Sequence, residues 1–250
     1  MLGSVADFTL SQRYFARGYR FAQHLDPAWP STPASTGQEI TGPLEAYAVA
    51  HRRGPGIYKW QHYFDIYDRH LSRFRGADVS LVEIGVAGGG SLGMWREYLG
   101  PAAVIYGIDI DPACKRFEST GIEIVIGDQR SRTFWKSFLE GHSPIDVVID
   151  DGGHEPDQQA TTVESLLPHI QPGGVYVCED IHGPFHPFHA FVDGMTRQLS
   201  TIGAAPAVAE PNPLQSRVSS VHRYPILTVI ELNASPPTRY EARRYGTEWP

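Results

Sequence analysis

The chain has 250 residues, is 41% hydrophobic and carries a formal net charge of −7 from 21 Lys+Arg against 28 Asp+Glu. That length suits one large domain or a domain with an extension, and the acidic balance argues against nucleic acid as the main partner. No apolar run reaches the roughly 20 residues of a membrane span, and the first residues are too polar for a secretory signal. Two cysteines, Cys114 and Cys178, point to a reducing cytoplasm rather than a disulfide framework.

In chain order, the aromatic and Arg-rich stretch from Phe8 to Phe21 reads as a helix, and residues 26–37 as a Pro/Ser/Thr loop. Residues 42–53 read as a short amphipathic helix ended by Gly54-Pro55-Gly56. Residues 59–74 place Trp60, Tyr63, Phe64, Tyr67, Leu71 and Phe74 at helical spacing, so one face belongs to a core. We take 1–76 as a helical N-terminal extension or lid and 77–250 as the main domain. From residue 79 the rhythm becomes strand, glycine or acid, helix: VSLVEIGV, AVIYGIDID, IEIVIGDQ, IDVVIDDGGH and GGVYVCED are strands with helices between them. Two late strands joined through Tyr224 and Pro225 follow over 218–232. Alternating strands and helices imply an α/β, Rossmann-like, doubly wound and mostly parallel sheet of seven strands.

The turn after the first strand, from Glu83 through Gly85, Ala87, Gly88 and Gly90 to Ser91, lies where open α/β sheets bind ligands. Gly85-x-Ala87-x-x-Gly90 nearly matches the dinucleotide fingerprint, and Asp109 follows at a spacing suited to a ribose-binding acid. Nicotinamide and S-adenosylmethionine are therefore the competing ligands. Glu83 suits the ammonium of a methionine moiety and would serve nothing beside a pyrophosphate. Asp128 and Gln129, ending the third strand, resemble the adenine-side contact of methyltransferases, so we favour S-adenosylmethionine, with Asp109 on its ribose hydroxyls. Asp111 reads as a helix cap.

The fourth strand ends in Asp150-Asp151-Gly-Gly-His154 and the fifth in Glu179-Asp180. Adjacent strand ends lie about 5 Å apart, so Asp151, Glu179 and Asp180 can converge beside the methyl donor. Three uncompensated carboxylates repel one another. A divalent, oxygen-preferring ion such as magnesium, with manganese as a substitute, removes that cost; no Cys/His spacing suits zinc. Bound to an alcohol, such an ion lowers its pKa, and His154 is placed as the base. Asp150 then faces the donor or bonds within the loop. His182, His186 and His189 stand among phenylalanines with no defensible metal spacing, so they read as packing and acceptor lining. Trp60 divides evenly between core and acceptor surface, and His222 receives no role.

IYKWQHYFDIYDRHL, VEIGVAGGGSLGMWREYL, IYGIDID, IGDQ, VIDDGGH and GGVYVCED together resemble metal-dependent sugar O-methyltransferases, over about residues 42–232. These include the enzymes of macrolide and aminocoumarin sugars and cephalosporin-hydroxylase-like relatives. The resemblance implies a class I methyltransferase fold, magnesium on Asp151, Glu179 and Asp180, and His154 as base. It also implies that the segment holding Lys59, His62 and Tyr63 closes over donor and acceptor, and that the protein is a homo-oligomer. The implied acceptor is a sugar hydroxyl, on a glycosylated natural product or on a precursor of a methylated polysaccharide. A catechol-like or other phenolic acceptor, and a protein that binds S-adenosylmethionine without turnover, are the alternatives; intact Asp151, His154, Glu179 and Asp180 argue against the latter. The long first 40 residues and DDGGH, where relatives often carry DDGSH, are departures. The excess of arginine, 18 to 3 lysines, is usual in GC-rich genomes such as those of actinobacteria.

Overall fold

Runs of Val and Ile build the sheet because β-branched side chains fit a pleated surface that is covered on both faces. The strands are β1 (Ser80–Ile84), β2 (Val104–Asp109), β3 (Ile122–Ile126), β4 (Ile145–Asp150), β5 (Ile170–Cys178), β6 (Val218–Tyr224) and β7 (Leu227–Leu232). This is a computed structural model; it describes residues 5–25, 40, 42–142, 144–202 and 208–247. The spatial order is β3-β2-β1-β4-β5-β7-β6. β1 to β5 pair in parallel, whereas β7 runs antiparallel to both β5 and β6. β1 thus has β2 on one side and β4 on the other, which makes the crevice above its carboxyl end the topological switch point where such sheets bind ligands. Register brings the ends level: Ile84 pairs with Asp150, and Asp150 with Cys178.

One face of the sheet is covered by α3 (Gln61–Leu71) and α4 (Gly90–Leu99), which bury Tyr63, Tyr67, Leu71, Leu92 and Trp95. The other face is covered by α5 (Arg132–Gly141), α6 (Pro156–Leu166) and α7 (Pro187–Arg197), through Trp135, Phe138, Val163, Leu166 and Phe188. α3 is also tied to the β6–β7 hairpin, since His70 lies 2.6 Å from Glu231 through Nδ1 and 2.8 Å from the Tyr224 hydroxyl through Nε2.

The chain parts into compact units at 1–40 and 41–250, so residues 42–76, including α2 (Pro43–Ala50), belong with the sheet rather than with a separate extension. α1 (Val5–Gln23) forms in the smaller unit, with Tyr14, Phe15 and Phe21 exposed. The loop expected at 26–37 lies outside the described residues. Among the described residues no helix is long and apolar enough to cross a membrane.

Because Leu71 has no exposure to solvent, Leu71→Ala should cost about 2–5 kcal/mol, as buried Leu truncations do. Urea unfolding measures it, with a lower midpoint and an unchanged slope; an unaltered midpoint would mean that α3 is not part of the core.

Candidate functional site

A cavity of about 560 Å³ opens at the carboxyl ends of β1 to β4. Its floor is the glycine turn, and glycine is required there. Gly85 has φ 91°, and a Cβ on it would strike the Asp151 carbonyl oxygen, so the turns after β1 and β4 touch through backbone alone. A Cβ on Gly90 would strike the Pro55 and Gly56 carbonyls, and the Gly90 N–H donates to Gly56 O at 3.0 Å. Gly54-Pro55-Gly56 therefore does more than end a helix. It lies on the glycine turn, and Gly56, Ile57 and Tyr58 form a wall of the cavity. Sequence reading missed this wall, although two glycines flanking a proline just before a helix were a signal for close backbone approach.

Gly85, Ala87, Gly88, Ser91, Asp109, Asp128 and Gln129 all line the cavity. Asp109 Oδ2 accepts the N–H groups of Val86 at 2.9 Å and Ala87 at 3.1 Å, and Oδ1 accepts that of Asp111 at 2.9 Å. Burial pushes this carboxyl up, but these three backbone donors outweigh it and hold it below the usual range. Asp128 is gripped by Arg130, with Nη2 to Oδ2 at 2.8 Å, which holds it low as well. Gln129 is buried and stitches loops together. Its Oε1 accepts the Gly153 N–H at 2.8 Å, and its Nε2 donates to Asp150 Oδ1 at 3.1 Å and to Thr162 Oγ1 at 3.2 Å. Asp111 caps the following turn through the Ala113 N–H at 2.8 Å.

Four of the expected donor-site residues do not line the large cavity. Glu83 is fully buried and does not line the cavity; it accepts hydrogen bonds from Ser91 Oγ at 2.8 Å and Trp95 Nε1 at 3.1 Å. Side chains alternate along a strand, so Glu83 shares the face of Leu81, under α4, and points away from the crevice. Asp150 is likewise buried, held by the Tyr176 hydroxyl at 2.7 Å and Gln129, and burial pushes its carboxyl up to about 6. His62 sits on the outer side of α3, exposed, with Nε2 at 3.1 Å from Pro225 O. Tyr63 is buried and donates to Asp180 Oδ1 at 2.7 Å rather than facing the donor cavity.

Lys59 lines the cavity, but its ammonium is spent on acids. Nζ donates to Asp151 Oδ2 at 2.7 Å and to Glu179 Oε2 and Oε1 at 3.0 and 3.1 Å, and lies 3.6 Å from Glu83. Its side chain is only 3% exposed. Burial alone would lower its pKa, but Glu179, Glu83 and Asp151 outweigh that and keep it charged. Glu179 also accepts the Tyr67 hydroxyl at 2.6 Å, and burial pushes its carboxyl up. Asp151 and Glu179, two of the three acids expected to converge, meet around a cation that the chain itself supplies, whereas Asp180 accepts from Tyr63.

On the open side, His154 Nε2 lies 3.9 Å from both Asp151 Oδ1 and Asp180 Oδ2. His154 and Asp180 have φ of 58° and 54°, left-handed conformations that cost non-glycine residues roughly 1–3 kcal/mol each and cluster at functional sites. His154 Nδ1 is buried without a hydrogen-bond partner. Asp151, His154 and Asp180 each bring one ligand atom within 4.8 Å of the others. Two carboxylate oxygens aimed at one point, with an imidazole beside them, fit an oxygen-preferring divalent ion. A second cavity of about 160 Å³ touches the same acids. It is lined by Tyr58, Trp60 and Tyr63 with Asp151, Glu179 and Asp180. Trp60 is half exposed, its ring 6.5 Å from that of His182, so it belongs to the surface and not to the core. His186 caps α7 through the Phe188 N–H at 3.3 Å, and His189 lies 3.1 Å from Gly183 O.

Residues 82–181 match a family described as a methyltransferase domain. The 8-demethyl-8-alpha-L-rhamnosyl tetracenomycin-C 2'-O-methyltransferase of Streptomyces olivaceus is 31% identical over 226 residues, covering 81% of this chain and 57% of that protein. The mycinamicin VI 2''-O-methyltransferase of Micromonospora griseorubida is 38% identical over 128 residues, 48% of this chain and 32% of its own. Among solved structures, the MycE methyltransferase from the mycinamycin biosynthetic pathway, in complex with Mg and SAH, superposes with a TM-score of 0.62 at 26% identity. The match covers 76% of this chain and 54% of that one. The match thus spans little more than half the length of the tetracenomycin relative and of the MycE chain, and about a third of the mycinamicin VI relative.

A buried carboxyl raised to about 6, against about 3.9 in the unfolded chain, has a definite pH signature. Its contribution to stability is whole below about pH 4 and is lost as pH rises through 6. Asp150→Asn, which cannot ionise, should therefore gain on the parent by roughly 3 kcal/mol between pH 4 and pH 7. Denaturant unfolding at the two pH values measures this; a pH-independent difference would show that Asp150 titrates normally.

Proposed function

We propose that the chain, whose residues 82–181 match a methyltransferase domain family, is a magnesium-dependent sugar O-methyltransferase. It moves the methyl group of S-adenosylmethionine to a hydroxyl of a sugar on a glycosylated natural product. The observation that carries this reading is the position of Asp151 and Asp180. Both border the large cavity and the small one, so they stand between a donor site and an acceptor site.

Within the large cavity, Asp109 would accept from the ribose hydroxyls of the donor and Asp128 would meet its adenine side. The backbone of Gly85 to Gly88 approaches its methionine half. The acceptor ring enters the smaller cavity, where the exposed rings of Tyr58 and Trp60 suit the apolar face of a sugar and the flanking polar groups suit its hydroxyls. Asp151, Glu179 and Asp180 would hold the magnesium, which when bound would supply the Lewis acidity that lowers the pKa of the acceptor hydroxyl. His154 Nε2 takes the hydroxyl proton as the oxygen attacks the methyl carbon. The carbon–sulfur bond breaks, and S-adenosylhomocysteine leaves with the bonding pair on sulfur. The Tyr63 hydroxyl holds Asp180 in place from behind. The relatives named above act on sugars of natural products, which supports that acceptor; the polysaccharide alternative has no such support. A cytoplasmic homo-oligomer remains part of the proposal.

Three measurements test it. EDTA should abolish methyl transfer and magnesium should restore it; full activity of protein shown by elemental analysis to be metal-free would sink the metal. His154→Ala should lower kcat by about 10²–10⁴-fold with an unchanged dissociation constant for S-adenosylmethionine. A fully active variant would remove His154 as base and leave the rest standing. Asp109→Ala should weaken donor binding by roughly tenfold or more, since hydrogen bonds to a charged group contribute about 1.5–3 kcal/mol. Calorimetry showing unchanged affinity would take Asp109 out of the donor site.

A further inference from the structure

Glu179 is one of the three carboxylates assigned above to magnesium, yet both of its oxygens are already in use. Oε1 accepts from Tyr67 at 2.6 Å and from Lys59 at 3.1 Å, and Oε2 accepts from Lys59 at 3.0 Å. Asp151 gives Oδ2 to the same ammonium at 2.7 Å and keeps Oδ1 towards His154. A divalent ion shared by Asp151, Glu179 and Asp180 needs lone pairs that Lys59 now holds, and two cations at bonding distance from one carboxylate repel strongly in a buried site. Glu179 is 1% exposed. A carboxylate removed from water to that degree needs a cation beside it to stay ionised, and without metal Lys59 is the cation it has.

We propose that Lys59 is a resident stand-in for the metal: its ammonium holds Asp151 and Glu179 together in the metal-free protein and is handed off when the ion binds. This rests on the magnesium reading and adds to it a defined movement of one side chain. The local structure allows the exchange. Lys59 lies on the 54–60 segment, next to Ile57 and Tyr58 in the cavity wall, and a flexible four-carbon stem lets an ammonium swing into open space while the backbone stays put. Lys59 is thus a positioning residue. It keeps the acids assembled before metal arrives, and it competes with the metal for them.

The chain's lysine content makes the exchange directly readable. Its three lysines are Lys59, Lys115 and Lys136; Lys115 is half exposed and Lys136 exposed, so both serve as internal controls. The full chain is treated with acetic anhydride in EDTA and again in saturating magnesium chloride, and acetylation is read at each lysine by mass spectrometry. We expect Lys59 to be protected in EDTA and acetylated about tenfold more in magnesium, as a buried ion-paired amine becomes a free one, with the two controls unchanged. Calorimetry that shows magnesium binding while Lys59 stays protected would overturn the handoff alone and leave Glu179 as the partner of Lys59. Absence of magnesium binding would bring down the handoff and the metal reading together. Independently, Lys59→Met should bind magnesium about tenfold more tightly, because the competing cation is gone, and its metal-free form should melt lower. Unchanged or weaker magnesium affinity in that variant would contradict the proposal; should it fail to fold, labelling of the unaltered protein decides.

Discussion

The Lys59 ammonium, 2.7 Å from Asp151, 3.0 Å from Glu179 and 3.6 Å from Glu83, balances a charge problem that the fold itself creates. Parallel pairing places the ends of β1, β4 and β5 side by side, and an acid at or beside each end brings three carboxylates into one low-dielectric pocket. None of the strands can be shifted by a residue without swapping the side chains it presents to the two faces of the sheet. The compensation has to come from elsewhere in the chain, and it comes from the segment before the sheet. α3 anchors that segment through Tyr63, Tyr67 and Leu71, all buried. Two of the three anchors carry hydroxyls that grip the acids: Tyr67 holds Glu179, and Tyr63 holds Asp180.

The acidic doublets divide their work along the chain. In each, the first acid turns inward and the second faces the cavities. Asp150 is locked by Tyr176 and Gln129, whereas Asp151 borders both cavities. Glu179 is locked by Tyr67 and Lys59, whereas Asp180 opens towards His154 and His182. Neighbouring residues at a strand end point to different sides, so each doublet has one acid tied closely to neighbouring side chains and one more open to the cavities. His154 and Asp180, both in left-handed backbone conformations, approach one another to 3.9 Å.

The sheet was legible because its strands are short Val/Ile runs closed by glycine or acid, a pattern with a fixed period and clear ends. The cavity-facing acids were legible for the same reason, since Asp109, Asp128, Asp151 and Asp180 each fall at or just beyond a strand end. The misread residues depended on facts the local pattern does not carry. Glu83 was assigned by its distance from the glycines, when the strand's alternation already placed it with Leu81 beneath α4. The family resemblance places Lys59 in a closing segment, whereas its partners, Asp151 and Glu179, lie far along the chain and only the packing of α3 against the sheet brings them together. The same long-range packing hid the wall formed by Gly56 to Tyr58, whose contact with Gly90 is backbone on backbone. No side-chain pattern announces such a contact.

The most direct test is anomalous diffraction from crystals of the full chain grown with manganese and S-adenosylhomocysteine. We expect one manganese peak bonded to Asp151 and Asp180, between the bound nucleoside and the Tyr58–Trp60 rim. Crystals at saturating manganese whose anomalous peaks all lie away from those two carboxylates would contradict it.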